Sequence, residues 1–204
     1  MKKRKYMMIG TGILLLLLLC VGNAFTNSSG KSLLSQWGNI LNRTQKENPG
    51  GDIYAQGKNT VVLRKDVEQA KEFYILSGME DAAALDRAET YMYEREAMYH
   101  LATEKGYQAT DEQVRAYLEE LKKTANSAAN KDDVFALIDQ FDSEEAYWDY
   151  QFEVYKKNLP IQNYVQDLKR QYVTDAANPE EAWDDHFEAL KAEAVSNEHF
   201  RKTE

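Results

Sequence analysis

The chain has 204 residues, 34 of them acidic and 25 basic, with a single cysteine. Its formal charge of −9 argues against nucleic acid as a partner and against an anionic membrane surface for its folded part, because like charges repel. One cysteine excludes an internal disulfide, so the fold must rest on an ordinary apolar core.

Lys2, Lys3, Arg4 and Lys5 precede an apolar run from Tyr6 to Val21, with consecutive leucines from Leu14 to Leu19. A basic flank before an apolar run reads as a secretory signal or signal-anchor, with the basic cluster cytoplasmic and the rest exported. From Met7 to Phe25 the run nears the roughly 20 residues that span a bilayer, which favours a retained anchor over residues 1–24. Gly22-Asn23-Ala24 is a weak cleavage site, so a secreted form stays open. Cys20 follows Leu19, where a lipoprotein acceptor site has a small residue, and reads as a buried apolar side chain. Beyond residue 24 the chain carries 21 basic and 34 acidic residues, a formal −13 that solubility alone explains.

Residues 25–51 read as a tether. Asn27-Ser28-Ser29-Gly30 and Asn48-Pro49-Gly50-Gly51 are breaker clusters. Leu33, Leu34, Trp37, Ile40 and Leu41 between them recur at helical spacing, giving a short amphipathic helix for the membrane surface or for the domain. Ile53-Tyr54-Ala55 and Thr60-Val61-Val62-Leu63 flank Gly57-Lys58-Asn59 as a strand pair with a turn. Two short strands are marginal alone and need helices to cover them.

Helical spacing follows over Lys65 to Leu76, Asp81 to Lys105 and Asp111 to Ala125, then around Val134 to Phe141. Gly106 sits where a left-handed C-cap is wanted, and Thr110 with Gln113 forms a capping box. Ser143-Glu144-Glu145 opens the longest helix, with Pro160 inside it as an expected kink. Asn178-Pro179-Glu180-Glu181 starts the last helix, which carries Trp183, Phe187, Leu190 and Ala194. The polar tail from Ser196 to Glu204 is expected to fray.

No residue set persuades as catalytic. His100, His186 and His199 lack the ligand spacing of a metal site, and no phosphate loop, dinucleotide fingerprint or nucleophile elbow occurs, so no cofactor is expected. Acid pairs such as Asp132-Asp133 and Asp184-Asp185 suit helix starts. Asn27-x-Ser29 and Asn42-x-Thr44 match the glycosylation sequon, a pattern common by chance.

The aromatic side chains carry more information. Tyr91, Met92, Met98, Tyr99, Tyr147, Trp148, Tyr150, Phe152 and Tyr155 crowd two helices on more than one face. Such a helix is either buried all round or presents a patch. A core packed with rings is one reading. An amphipathic groove is the other, because Tyr, Trp and Met suit adaptable apolar contacts.

The order of these landmarks resembles the N-terminal chaperone domain of SurA-type and PrsA-type extracytoplasmic foldases, a relative of the trigger factor substrate-binding module. The resemblance rests on Val61-Val62-Leu63-Arg64-Lys65-Asp66-Val67, on the turn from Lys105-Gly106 to Val114, and on the helix around Tyr147 to Ile161. It spans about residues 53–173. The helix from Trp183 to Ala194 looks like the family's returning helix, joined directly, because only Thr174 to Asn178 separates it from Tyr172-Val173. That is too short for the parvulin-type isomerase domain the family commonly inserts there, so its activity does not carry over.

The expectation is therefore a mainly α, helical chaperone-like domain over residues 52–178, with a short β-hairpin or strand pair. A returning helix and frayed tail over residues 179–204 follow it, and a signal-anchor precedes it. The resemblance implies a non-catalytic holdase for unfolded or exported polypeptides, single-pass at a bacterial cytoplasmic membrane with its domain outside. The nine aromatic and methionine side chains would form the client surface, and a homodimer is possible. A module for one dedicated protein partner is the rival expectation, and a degenerate isomerase a more distant one.

Overall fold

A computed structural model describes residues 33–47, 51–173 and 175–203. The signal-anchor, residues 1–24, and the sequon at Asn27 lie outside the described residues. No described helix is long and apolar enough to cross a membrane.

The described chain is mainly helical, with seven helices and a small antiparallel sheet. In order these are α1 (Leu33–Glu47), β1 (Ile53–Gln56), β2 (Val61–Leu63), α2 (Arg64–Leu76), α3 (Asp81–Glu104), α4 (Asp111–Ser127), α5 (Lys131–Ile138), α6 (Glu144–Gln171), α7 (Pro179–Glu198) and β3 (Arg201–Lys202).

Local chemistry accounts for the helix ends. Thr110 Oγ1 accepts from the Gln113 amide at 3.2 Å, and Gln113 Oε1 accepts from the Thr110 amide at 2.8 Å. Both bonds of the capping box satisfy backbone donors that the first turn of α4 leaves free. Thr110→Ala should cost about 1 kcal/mol, read as a lowered urea midpoint with unchanged m. At the end of α3, Gly106 takes φ +88°, which a side chain would resist. There the Tyr107 amide donates to the Ala102 carbonyl and the Gly106 amide to Thr103, a Schellman closure. Tyr107 then reaches across to Asp167 on α6 at 2.9 Å, so this turn also docks two helices. Asn178 caps α7 by accepting from the Glu181 amide, with Pro179 at the first helical position. Pro160, an expected kink, lies buried inside α6, which continues as one helix on both sides of it.

Three apolar clusters hold the elements together. The first joins α1, α4, α5 and α6 through Trp37, Leu41, Val114, Leu118, Leu137 and Tyr147. So the helix of the tether segment docks on the domain: Leu34, Trp37 and Leu41 are all buried, and Asn42 Nδ2 donates to the Gln140 carbonyl at 2.7 Å. The second packs β1 and β2 on α2 and α3 through Ala55, Val62, Val67, Tyr74 and Met92. The third packs α7 on α3 and α6 through Met98, Ile161, Tyr164, Trp183 and Phe187. Lys191, itself buried, ties α7 to α3 by meeting Glu94 at 3.1 Å.

Two expectations change here. The strand pair is a three-stranded sheet in the order β2-β1-β3, and the tail expected to fray supplies the third strand. Ala55 pairs with Lys202 and Gln56 with Arg201, while Phe200 stacks on Tyr93 at 4.8 Å. The cause is Glu198, which is 2 % exposed at the end of α7. Its carboxylate accepts from the Asn59 amide at 2.8 Å, Asn59 Nδ2 at 3.0 Å and the Thr60 amide at 3.2 Å. The Lys58 amide donates to its carbonyl at 2.7 Å. Gly57 has to be glycine, because a Cβ there would stand 2.6 Å from Glu198 Oε2 and 2.8 Å from Phe200.

Candidate functional site

A cleft of about 460 Å³ opens between α1, α2, α3 and α6. That volume lies within the range of pockets that bury a small ligand or a short piece of chain. Helical spacing explains which side chains reach it. On α3, Tyr91 and Arg95 stand one turn apart on the edge facing the cleft, with Met92 beneath. On α6, Gln151, Tyr155 and Asn158 form the buried stripe, flanked by Tyr150, Val154 and Lys157. From α2 come Asp66, Gln69 and Phe73, and from α1 Trp37 and Leu41. The Trp37 and Phe73 rings meet edge to face at 5.0 Å, so one wall is aromatic.

The other end is polar and charged. Arg95 Nη1 stands 3.5 Å from Asp66 Oδ2 and 3.4 Å from Glu96 Oε1, and its Nε is 3.5 Å from Asn158 Oδ1. Lys157 Nζ meets Glu96 Oε2 at 2.7 Å. Burial works against the charge on Arg95, but Glu96 and Asp66 more than offset it, so the guanidinium is held charged. Tyr150 donates to Gln69 Oε1 at 3.3 Å, and Gln69 donates to Thr44 Oγ1 at 2.7 Å. Burial pushes the Tyr91 hydroxyl up to about 12 and raises those of Tyr150 and Tyr155 as well, so all three stay neutral hydrogen-bonding groups at ordinary pH.

The nine candidate side chains separate into three places. Tyr91, Met92, Tyr150 and Tyr155 line this cleft. Trp148 and Phe152 face the other side of α6, where they line a second groove, of about 480 Å³, against Arg115, Leu118 and Lys122 of α4. Arg115 sits 4.6 Å from the Phe152 ring and Lys122 5.2 Å from the Trp148 ring, so cations of the chain itself partly cover both. Met98, Tyr99 and Tyr147 are core or core-flanking. Met98 and Tyr99 belong to the α7 cluster, and Tyr147 is wholly enclosed between Phe141 and Trp148.

Several cleft residues were not among the nine: Trp37, Phe73, Asp66, Arg95 and Asn158. One sequence signal could have found the charged end. Glu96 follows Met92 by one turn on the buried stripe of α3, and a carboxylate in that position has to be paired. The histidines have other surroundings. His100 Nε2 is 3.9 Å from Glu198, His186 stacks on Tyr172 at 4.9 Å, and His199 takes the left-handed turn after α7. Among the described residues no group of three metal-ligating side chains comes together. Asn42 of the second sequon is committed to Gln140, and Thr44 is buried. The chain matches no protein-family model, no curated protein and no solved structure.

Proposed function

We propose that this chain is an extracytoplasmic chaperone-like module, of the SurA N-terminal kind, that holds apolar segments of unfolded or exported polypeptides without catalysis. Its N-terminal segment would tether it to a bacterial cytoplasmic membrane, with the acidic domain outside. The observation that supports this reading is the cleft between α1, α2, α3 and α6, which sets aromatic and methionine walls beside a polar end. Such a site takes an apolar side chain while still offering partners to the main chain around it. Release would follow from weak affinity and folding of the client.

The test is suppression of aggregation of a chemically denatured model client by the chain from residue 25 onward. That boundary keeps α1, whose Trp37 and Leu41 belong to the core. Suppression at a few-fold molar excess is the expected result, and its absence would count against the holdase reading.

One observation favours the rival, a module for a single dedicated protein partner. Among the described residues the exposed large apolar side chains are few and scattered: Ile53, Ile75, Met79 and Val173. A bounded cleft on an otherwise polar surface suits one segment better than a broad range of clients. Cross-linking that yields one stoichiometric partner would favour this second reading.

A further inference from the structure

Arg95 of the cleft holds donors in reserve, and the kind of acceptor it lacks follows from its neighbours. A guanidinium carries five N–H donors in a fixed fork. The Arg95 side chain is 12 % exposed, and its contacts to Asp66, Glu96 and Asn158 all stand at 3.4–3.5 Å, the outer limit of hydrogen-bond distance. Nη2 has no partner among the described residues. Its charge, by contrast, is already balanced. Asp66 and Glu96 flank it, and Lys157 at 2.7 Å takes Oε2 of Glu96, leaving the buried Oε1 beside Arg95 without a hydrogen bond. Nη2 is therefore a donor open to the cleft, where an entering acceptor can replace water, while the charge of Arg95 needs no further partner. An incoming carboxylate would meet Asp66 and be repelled, whereas a neutral carbonyl oxygen would not.

The neutral acceptor carried by every polypeptide is its main-chain carbonyl. Inside a helix that oxygen is already used, whereas an extended segment leaves it free at every residue along its length. Resting on the reading of the cleft as a polypeptide site, we infer that it holds an extended segment of another chain by one main-chain carbonyl on Arg95. A neighbouring apolar side chain of that segment lies against Trp37, Phe73 and Met92. Recognition through the backbone explains how one small cleft accepts many sequences: the hydrogen bond is indifferent to side-chain identity, and the aromatic wall asks only for an apolar group.

The experiment uses the full-length chain and a labelled, uncharged, apolar peptide followed by fluorescence anisotropy. Each peptide bond in turn is replaced by a thioamide, whose sulfur is a weaker acceptor than oxygen. On the native chain one position should weaken binding about tenfold, with its neighbours little changed. On Arg95→Gln that position should lose its distinction while the parent peptide still binds more weakly. Arg95→Met removes every donor while keeping an unbranched side chain, and should give the same flat profile. Two results would overturn the inference: a flat profile on a native chain that binds the peptide, or a glutamate-bearing peptide binding tenfold tighter than its glutamine twin. Failure of every apolar peptide to bind would sink the proposed function, and this inference with it.

Discussion

Glu198→Ala is expected to destabilise the domain by about 2 kcal/mol, since it removes a buried charged acceptor shared by several part-buried donors. The Asn59 and Thr60 amides at 2.8 and 3.2 Å, with Asn59 Nδ2 at 3.0 Å, would lose their acceptor in a part-buried contact. Hydrogen bonds to a charged acceptor contribute about 1.5–3 kcal/mol, and partial access of water to Asn59 and Thr60 holds the total near the lower end. Glu198→Gln should cost less, because one amide oxygen remains, yet its new NH2 would face donors. The measurement is a urea midpoint, paired with amide hydrogen exchange. Exchange at Ala55 and Thr60 should accelerate beyond what the global loss explains, because Glu198 leads directly into β3, which pairs with Ala55. Gly57→Ala should produce the same pattern from the other side, by driving a methyl group into the carboxylate. Unchanged exchange at these amides in Glu198→Ala would contradict the role given to this contact.

The carboxylate also responds to pH. Burial alone would raise its pKa, but the Asn59 and Thr60 donors and nearby His100 reverse that, so it lies below the usual 4.5. Its contribution is present above that value and is lost as pH falls through the lower folded-state value.

Alkaline unfolding is the second large effect expected. Four tyrosine hydroxyls are raised above the ordinary 10.0 by burial: Tyr91 to about 12, with Tyr147, Tyr150 and Tyr155 also shifted upward. Below pH 10 these hydroxyls are neutral in both states and their contribution is complete. Above it the unfolded chain ionises while the folded chain does not, so stability falls as pH rises towards the folded-state values. Each group removes about 1.4 kcal/mol per pH unit, and the four together roughly 5. Two such units remove about 10 kcal/mol, enough to unfold a domain in the lower half of the usual range of about 5–15 kcal/mol. The expected observation is cooperative loss of helical circular dichroism between about pH 10 and 12, coincident with the final part of the tyrosinate rise, which the buried rings contribute. Tyr147→Phe should make the fall in urea midpoint shallower by one group's share. Since the chain has thirteen tyrosines, the test lies in the last part of the titration: complete ionisation of all of them well below the helical transition would refute the burial assigned to these rings.

The elements legible in the sequence were those set by neighbours a few residues apart. Thr110 with Gln113, Gly106 and Asn178-Pro179 each name a helix end, because the bonds involved close within one turn. The aromatic side chains of α3 and α6 were legible as a set, but not as a site. Periodicity says that a helix carries rings on more than one face, and neighbouring helices decide which face closes. With α4 on one side of α6 and α2 and α3 on the other, Trp148 and Phe152 part company with Tyr150 and Tyr155.

What the sequence by itself determined is the helical class, the punctuation between helices and the strand pair at its start, all products of local propensity and spacing. Tertiary structure alone decided the rest. Glu198 lies 139 residues from Asn59, and nothing local marks it as more than a polar residue near a chain end. Arg95 is one charge among many until Asp66, 29 residues earlier, and Asn158, 63 later, converge on it. A carboxylate or a guanidinium acquires its meaning from what surrounds it once water is excluded, and contacts between residues so far apart exist only after the chain has folded.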